Sequence, residues 1–232
     1  MGPKAALPLL ALLSVIGAEA MTHSPPAELN AEKITSSELP DTGQPARAGM
    51  LKRVALVRHG ETAWNQLGLL QGRVDLPLNE TGRAQAARAA VSLSASSWDE
   101  IVCSPLERAQ QTAQSIQASV GHVSMSLDAR LTEKSFGVAE GMGRHAAFEQ
   151  WPDGCFDGGE SEEAVSGRVQ SLVADLMQMN TTSVIVVCHV VIIRHLAMQI
   201  ARVDPGFVEN GSVLTLVRKD DAQTWKPHFE GR

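Results

Sequence analysis

A chain of 232 residues, 44% of them hydrophobic, can bury a substantial core as one domain with an appendage. Its formal net charge of −6 argues against non-specific nucleic-acid binding, which needs a basic face to displace counterions, and with no Tyr and few aromatics it lacks a base-stacking platform. Three widely spaced cysteines make neither a disulfide framework nor a zinc site; Cys103 and Cys188 each end an apolar run and read as buried thiols, and Cys155 stands apart.

In chain order, Lys4 precedes an apolar run over 5–16 and then Gly17-Ala18-Glu19-Ala20, the layout of a secretory signal over 1–20. The run is shorter than the roughly 20 apolar residues that a membrane span needs. Residues 21–50, rich in Pro, Ser, Thr, Ala and Glu without periodicity, read as a disordered tether to a domain over 51–232. Export to a secreted or periplasmic location follows if the signal is real. If translation instead begins at Met21 or Met50, the protein is cytoplasmic.

Val54-Ala55-Leu56-Val57 is a buried strand that breaks into Arg58-His59-Gly60. Gly60 lets backbone approach a ligand, Arg58 can make a two-point contact with an oxyanion, and His59 can serve as base, acid or nucleophile. A loop over 63–78 leads to an Ala-rich helix capped by Asn79, with Ala84, Ala87, Ala90 and Val91 on one face. Residues 100–103 form a second strand. Ser104-Pro105-Leu106-Glu107 then combines an N-cap Ser with Pro at the first helical position and Glu three residues after the cap, opening a helix through 118. A third strand spans 123–127. Ser161 caps a helix to about 179, and 183–188 is a strand ending in His189. A helix follows through 202, and a last strand over 213–217 lies at an edge. This alternation implies an α/β fold, a three-layer α/β/α sandwich with a largely parallel central sheet.

In such a sheet, ligands sit beyond the carboxyl ends of the strands, where His59 and His189 both fall. Arg108, in the first turn of the helix after the second strand, can face the same crevice. Two arginines and two histidines would focus positive potential there in an otherwise acidic chain.

Arg58-His59-Gly60-Glu61-Thr62 with Trp64-Asn65 resembles the signature of the histidine phosphatase (phosphoglycerate mutase-like) superfamily. So do Gln71-Gly72, Asp75-Leu76-Pro77-Leu78 and Gly82, then Cys103-Ser104-Pro105-Leu106-Glu107-Arg108-Ala109 and Thr112. Leu131-x-Glu133-x-x-Phe136-Gly137-x-x-Glu140-Gly141, Gly159-Glu160-Ser161 and His189 complete the order, over about 53–218.

The resemblance implies a metal-independent phosphomonoesterase with no cofactor, acting on a small phosphorylated metabolite. His59 would take the phosphoryl group, Arg58, Arg108 and His189 would hold its oxygens, and Glu133 would be general acid and base. Asp128, Glu140 and Glu160 are nearby alternatives to Glu133. Asn65, Gln71 and Gly72 match positions at the substrate mouth. The family usually has a glycine just after the second histidine, where this chain has Val190-Val191, a replacement expected to crowd the pocket and stiffen the turn into the helix.

Only 141–158 separate the Glu140-Gly141 and Gly159-Glu160 motifs, too few for the cap of the resembling mutases. A site with so little cover admits water, which favours hydrolysis and the compact small-phosphatase or α-ribazole phosphatase branch. A phosphoglycerate mutase-type phosphotransferase and a catalytically weak phospho-ligand binding module are the alternatives. Over 142–156, Arg144, His145, Phe148 and Trp151, with Trp64 and Leu70, could contact a leaving group or cover the core. Asn79, Asn180 and Asn210 each begin a glycosylation sequon.

Overall fold

The computed structural model describes residues 51–121, 123–218 and 224–228, so the signal and tether expected over 1–50 lie outside the described residues. Six strands build the sheet: β1 Arg53–Arg58, β2 Glu100–Cys103, β3 Ser124–Leu127, β4 Ser183–Cys188, β5 Val213–Arg218 and β6 Trp225–His228. Their spatial order is β3-β2-β4-β1-β5-β6. The pairs β3–β2, β2–β4 and β4–β1 are parallel, whereas β5 runs antiparallel to β1 and β6 antiparallel to β5.

β1 and β4 lie at the centre because their apolar runs tolerate cover on both faces. Along β1, Ala55 and Val57 face one layer and Val54 and Leu56 the other. The first layer holds α2 (Glu80–Ser94) and α3 (Glu107–Val120), which bring Ala89, Ala90, Leu93, Ala109, Ala113 and Ile116. The second holds α5 (Glu162–Gln178) and α6 (Val190–Ala201), which bring Val169, Leu172, Ile192 and Leu196. This is the expected three-layer α/β/α sandwich. Two short helices are added: α1 (Ala63–Gln66), within the segment 63–78 read from sequence as a loop, and α4 (Arg144–Gln150), within 142–156, where no helix was expected. Among the described residues, no helix is long and apolar enough to cross a membrane.

Register positions the chemistry. Arg58 pairs with Cys188, so His59 and His189 follow side by side at one rim, and the His59 amide donates to the Cys188 carbonyl at 3.0 Å. Cys103 pairs with Val187, which brings Ser104 to the same rim.

Three expectations need correction. The buried stripe of α2 is Gly82, Ala86, Ala89, Ala90 and Leu93, while Ala84 and Ala87 are exposed and Val91 is 70% exposed. An alanine-rich helix has apolar residues all round, and its rotation is set by Gly82, where a Cβ would stand 2.0 Å from the Glu61 carbonyl oxygen. Ser104 is not a helix cap: α3 starts at Glu107 behind Leu106, and the Ser104 hydroxyl turns to His189. Finally, β5 is not an edge strand, because β6 covers it. Pro227 hid β6 in the sequence, yet proline is tolerated on the outermost strand of a sheet. Cys103 and Cys188 are buried and Cys155 is exposed, all three as free thiols.

Candidate active site

At the rim above β1 and β4, a cavity is lined by Arg58, His59, Arg108 and Glu133, with Asn65, Gln71, Gly72 and Val190 around its mouth. His189, fully buried, is not among the residues that line it. The His59 and His189 ring centroids are 5.1 Å apart and tilted by 56°.

His59 is held by its neighbour's backbone. Its Nδ1 lies 2.7 Å from the Gly60 carbonyl oxygen; a carbonyl can only accept, so Nδ1 carries the proton and Nε2 keeps its lone pair. Nε2 accepts from Arg108 Nε at 3.3 Å. Burial, then the charges of Arg108 and Arg58, hold the His59 pKa well below its ordinary value, so the ring is neutral. The same causes act on His189: burial first, then Arg108, His59 and Arg58. Its Nε2 lies 2.7 Å from Ser104 Oγ, and its buried Nδ1 has no hydrogen-bond partner among the described residues.

The guanidinium groups are pinned by carbonyls rather than carboxylates. Arg58 Nη1 donates to Val208 O at 2.6 Å, and its buried Nε has no partner among the described residues. Arg108 donates through Nη1 to Val74 O at 2.9 Å and through Nη2 to Gly72 O at 2.8 Å. Gly72 has φ +53, a left-handed conformation suited to glycine, and a Cβ there would strike Glu140 Oε1. Burial is the largest influence on both arginines and lowers each pKa to about 10.

Glu133 is 5% exposed and accepts from the Lys134 amide at 2.9 Å. Burial raises its pKa against the opposing pull of that N–H, Arg108 and Arg58. The competing carboxylates are engaged elsewhere. Glu140 accepts from the Arg73 and Phe136 amides, Glu160 pairs with Arg168 and Arg73, and Asp128 caps a 3₁₀ turn and pairs with Arg130.

Gly60 does not line the cavity. Its missing side chain makes room for Gly82, whose carbonyl oxygen would lie 2.2 Å from a Cβ at position 60, and its amide donates to Thr112 Oγ1 at 3.1 Å. Asn65 helps cap α1 and accepts from Asn210 Nδ2; Gln71 accepts from Thr62 Oγ1 at 2.8 Å. Val190 begins α6 after His189, whose backbone is extended (φ −130, ψ 164), so the two valines enter without strain; both line the cavity.

Within α4, Arg144 and Phe148 face the cavity. His145 is exposed and pairs with Glu149, Trp151 packs on Phe156, and Trp64 lies over Gly141. Sequence reasoning missed Lys134, which lines the cavity and reaches Glu162 Oε1 at 2.5 Å, and the Ser104–His189 bond. Adjacency to Glu133 was the one signal for Lys134, and nothing in spacing marked Ser104 as a histidine partner.

Residues 54–229 match the model of the histidine phosphatase superfamily, branch 1. The uncharacterized phosphatase PhoE of Bacillus subtilis is 36% identical over 153 residues, covering 66% of this chain and 79% of that protein. Among solved structures, the α-ribazole phosphatase from Shigella flexneri superposes with a TM-score of 0.67 at 27% identity, covering 78% of this chain and 96% of that one. A mycobacterial glucosyl-3-phosphoglycerate phosphatase gives a TM-score of 0.66 at 26% identity, covering 79% and 99%.

Proposed function

Because this chain belongs to the histidine phosphatase superfamily and is a phosphatase with the phosphoglycerate mutase-like fold, we propose that it hydrolyses small phosphomonoesters through a phosphohistidine on His59. The observation that carries this reading is the protonated Nδ1 of His59 on the Gly60 carbonyl, which leaves Nε2 as a buried, neutral nucleophile between two arginines.

The Nε2 lone pair attacks phosphorus as the bond to the ester oxygen breaks. The electron pair goes to that oxygen, which takes the proton of Glu133. Glu133, now a carboxylate, then accepts a proton from the water that attacks phosphorus, and burial, which raises its pKa, favours its return to the acid. The P–N pair returns to Nε2 and inorganic phosphate leaves. Neither step calls on a metal. Arg58 and Arg108 neutralise the phosphoryl oxygens, with charge-assisted bonds worth roughly 1.5–3 kcal/mol each. His189 has a buried Nδ1 with no partner among the described residues, and a bound dianion would draw it toward the imidazolium.

Hydrolysis is favoured over transfer to a second substrate because the segment between Gly141 and Gly159 is short and, among the described residues, builds no helix longer than the seven-residue α4. The test is phosphate release from 4-nitrophenyl phosphate and a phosphoester panel by wild type and His59→Ala. A loss of at least ~10³-fold is expected. Undiminished turnover in the variant overturns the mechanism, and isomerisation of 3-phosphoglycerate outrunning phosphate release replaces hydrolysis by transfer.

A further inference from the structure

Resting on that hydrolytic reading, we propose that Arg144 forms an anion subsite selecting phosphomonoesters whose leaving alcohol carries a carboxylate. Arg144 opens α4 and lines the same cavity as His59 and Glu133. Its Nε is buried with no hydrogen-bond partner among the described residues, and burial alone accounts for its lowered pKa, with no carboxylate pulling the other way. Outside the phosphate-facing pair Arg58 and Arg108, which donate to carbonyls, the other buried cations described are paired with carboxylates. Arg194 holds Asp204, Lys134 holds Glu162 and Arg168 holds Glu160. A half-buried guanidinium without a counter-charge is costly unless a ligand supplies one.

The placement of Arg144 is rigid. Its amide donates to Gly68 O at 3.0 Å, the Leu70 amide donates to Met142 O at 2.9 Å, and Gly143 bridges to Leu69. That same stretch runs on through Gln71 to Gly72, whose carbonyl holds Arg108. The guanidinium for the transferring phosphate and the one for the leaving group are therefore referenced to one piece of backbone, which sets a preferred spacing between the two anions of a ligand.

Charge counting names the second anion. Arg58 and Arg108 match the two charges of a phosphate dianion, and Lys134 is taken by Glu162. Arg144 leaves one positive unit, which a carboxylate neutralises and a second phosphate dianion would exceed. The neighbouring wall of Leu69, Leu70, Phe136, Phe148 and Val190 is apolar. Beyond His59 and its charged groups the cavity's polar lining is Asn65 and Gln71, and Gln71 is engaged by Thr62 and Val74, so a short phosphorylated hydroxy acid fits better than a sugar phosphate.

The test titrates 3-phosphoglycerate and glycerol 3-phosphate, which differ by a carboxylate against a hydroxymethyl group, into the full chain by calorimetry. Wild type should bind the carboxylate about tenfold to a hundredfold more tightly, the range of one charge-assisted pair. Arg144→Met should bring the ratio close to one, and Arg144→Lys, which keeps charge without the planar fork, should fall between. If the Met variant does not fold, Arg144→Gln gives the same reading. A ratio near one in wild type, or an unchanged ratio in the variants, overturns the proposal. The titrations are made in the His59→Ala background, wild type here meaning Arg144 intact, so binding is read without turnover, and a failure of the phosphatase reading shows separately when the chain with His59 and His59→Ala are compared on 4-nitrophenyl phosphate.

Discussion

Replacing Gly60 by Ala tests how the nucleophile is held. A Cβ at position 60 would stand 2.2 Å from Gly82 O, 2.8 Å from Gly82 C and 3.0 Å from Gly82 Cα, all backbone atoms that cannot swing aside. Relief requires β1's exit and the first turn of α2 to part by about 1 Å in a close-packed interior. Neither side is free to move. Gly82 N donates to the Asn79 cap at 2.7 Å, and Gly82 faces Glu61 in an equally tight reciprocal contact. His59 hangs from the Gly60 carbonyl, so any shift carries the imidazole with it. Overpacking of this kind costs about 1–3 kcal/mol, and misplacing a reacting group by ~1 Å costs about 10²-fold in rate. The internal control is Gly167→Ala. Gly167 is exposed in the middle of α5 with no heavy atom within 4 Å of an added Cβ, so alanine should stabilise by about 0.5–1 kcal/mol. Urea midpoints and kcat/KM on 4-nitrophenyl phosphate read both effects. Backbone crowding at Gly60 does not hold His59 in place if Gly60→Ala unfolds and turns over like wild type, or if the two substitutions move stability in the same direction.

Glu133→Gln should lower kcat on an alkyl phosphate by about 10²–10⁴-fold and much less on 4-nitrophenyl phosphate, whose leaving group needs no proton. Since the acid must be protonated, the wild-type alkyl-ester rate should fall as pH rises past the elevated Glu133 pKa, and a pH–rate profile of the variant should lack that limb. Ser104→Ala removes the buried 2.7 Å partner of His189, and a loss of about 1–3 kcal/mol in urea unfolding is expected, with a higher KM. At Glu162, burial raises the carboxyl pKa but the bonds from His195 and Lys134 outweigh it and hold the group at about 2 against 4.5. A depressed folded pKa makes its stabilisation complete above about 4.5 and lost as pH falls toward 2, on the order of 3 kcal/mol. Denaturant titrations of Glu162→Gln should show lower stability at neutral pH and a flatter acid limb.

What could be read from sequence was whatever the physics writes locally. Strands covered on both faces must be apolar throughout, so β1 and β4 were visible as runs, and each run broke into its histidine at the rim. Ser161 is the N-cap of α5, accepting from the Ala164 amide, because capping is a contact three residues long. Tertiary choices left no such mark. Which side of α2 turns inward was settled by Gly82 against Glu61. Whether Glu133, Glu140 or Glu160 faces the cavity was settled by amides and arginines far along the chain. In the short helix α4, successive residues point about 100° apart, which separates Arg144 and Phe148 from His145, while Trp151 lies just past the helix and packs on Phe156; without the helix the four were equivalent. Two of the sequons are likewise explained by structure. Asn79 Nδ2 donates to Glu61 Oε1 and Asn210 Nδ2 to the His59 carbonyl, while Asn180 is exposed.

The departure at Val190-Val191 bears on how the site works rather than on whether it can form. Glycine after the second histidine would be required if the chain turned there through a left-handed conformation, but His189 is extended and α6 begins at once, a geometry any residue adopts. Val191 is buried in the layer with α5, and Val190 is half-buried at the cavity wall. Two valines therefore add apolar surface beside a neutral imidazole pair and two guanidinium groups already desolvated enough to depress their pKa values. Excluding water from that wall lowers the local dielectric, and each remaining charge then acts more strongly on a phosphate. The same exclusion penalises unpaired cations, and on one side of the cavity the structure leaves such a cation at Arg144. Crowding and the unpaired charge are thus parts of one arrangement: a dry wall that rewards a ligand bringing its own second anion.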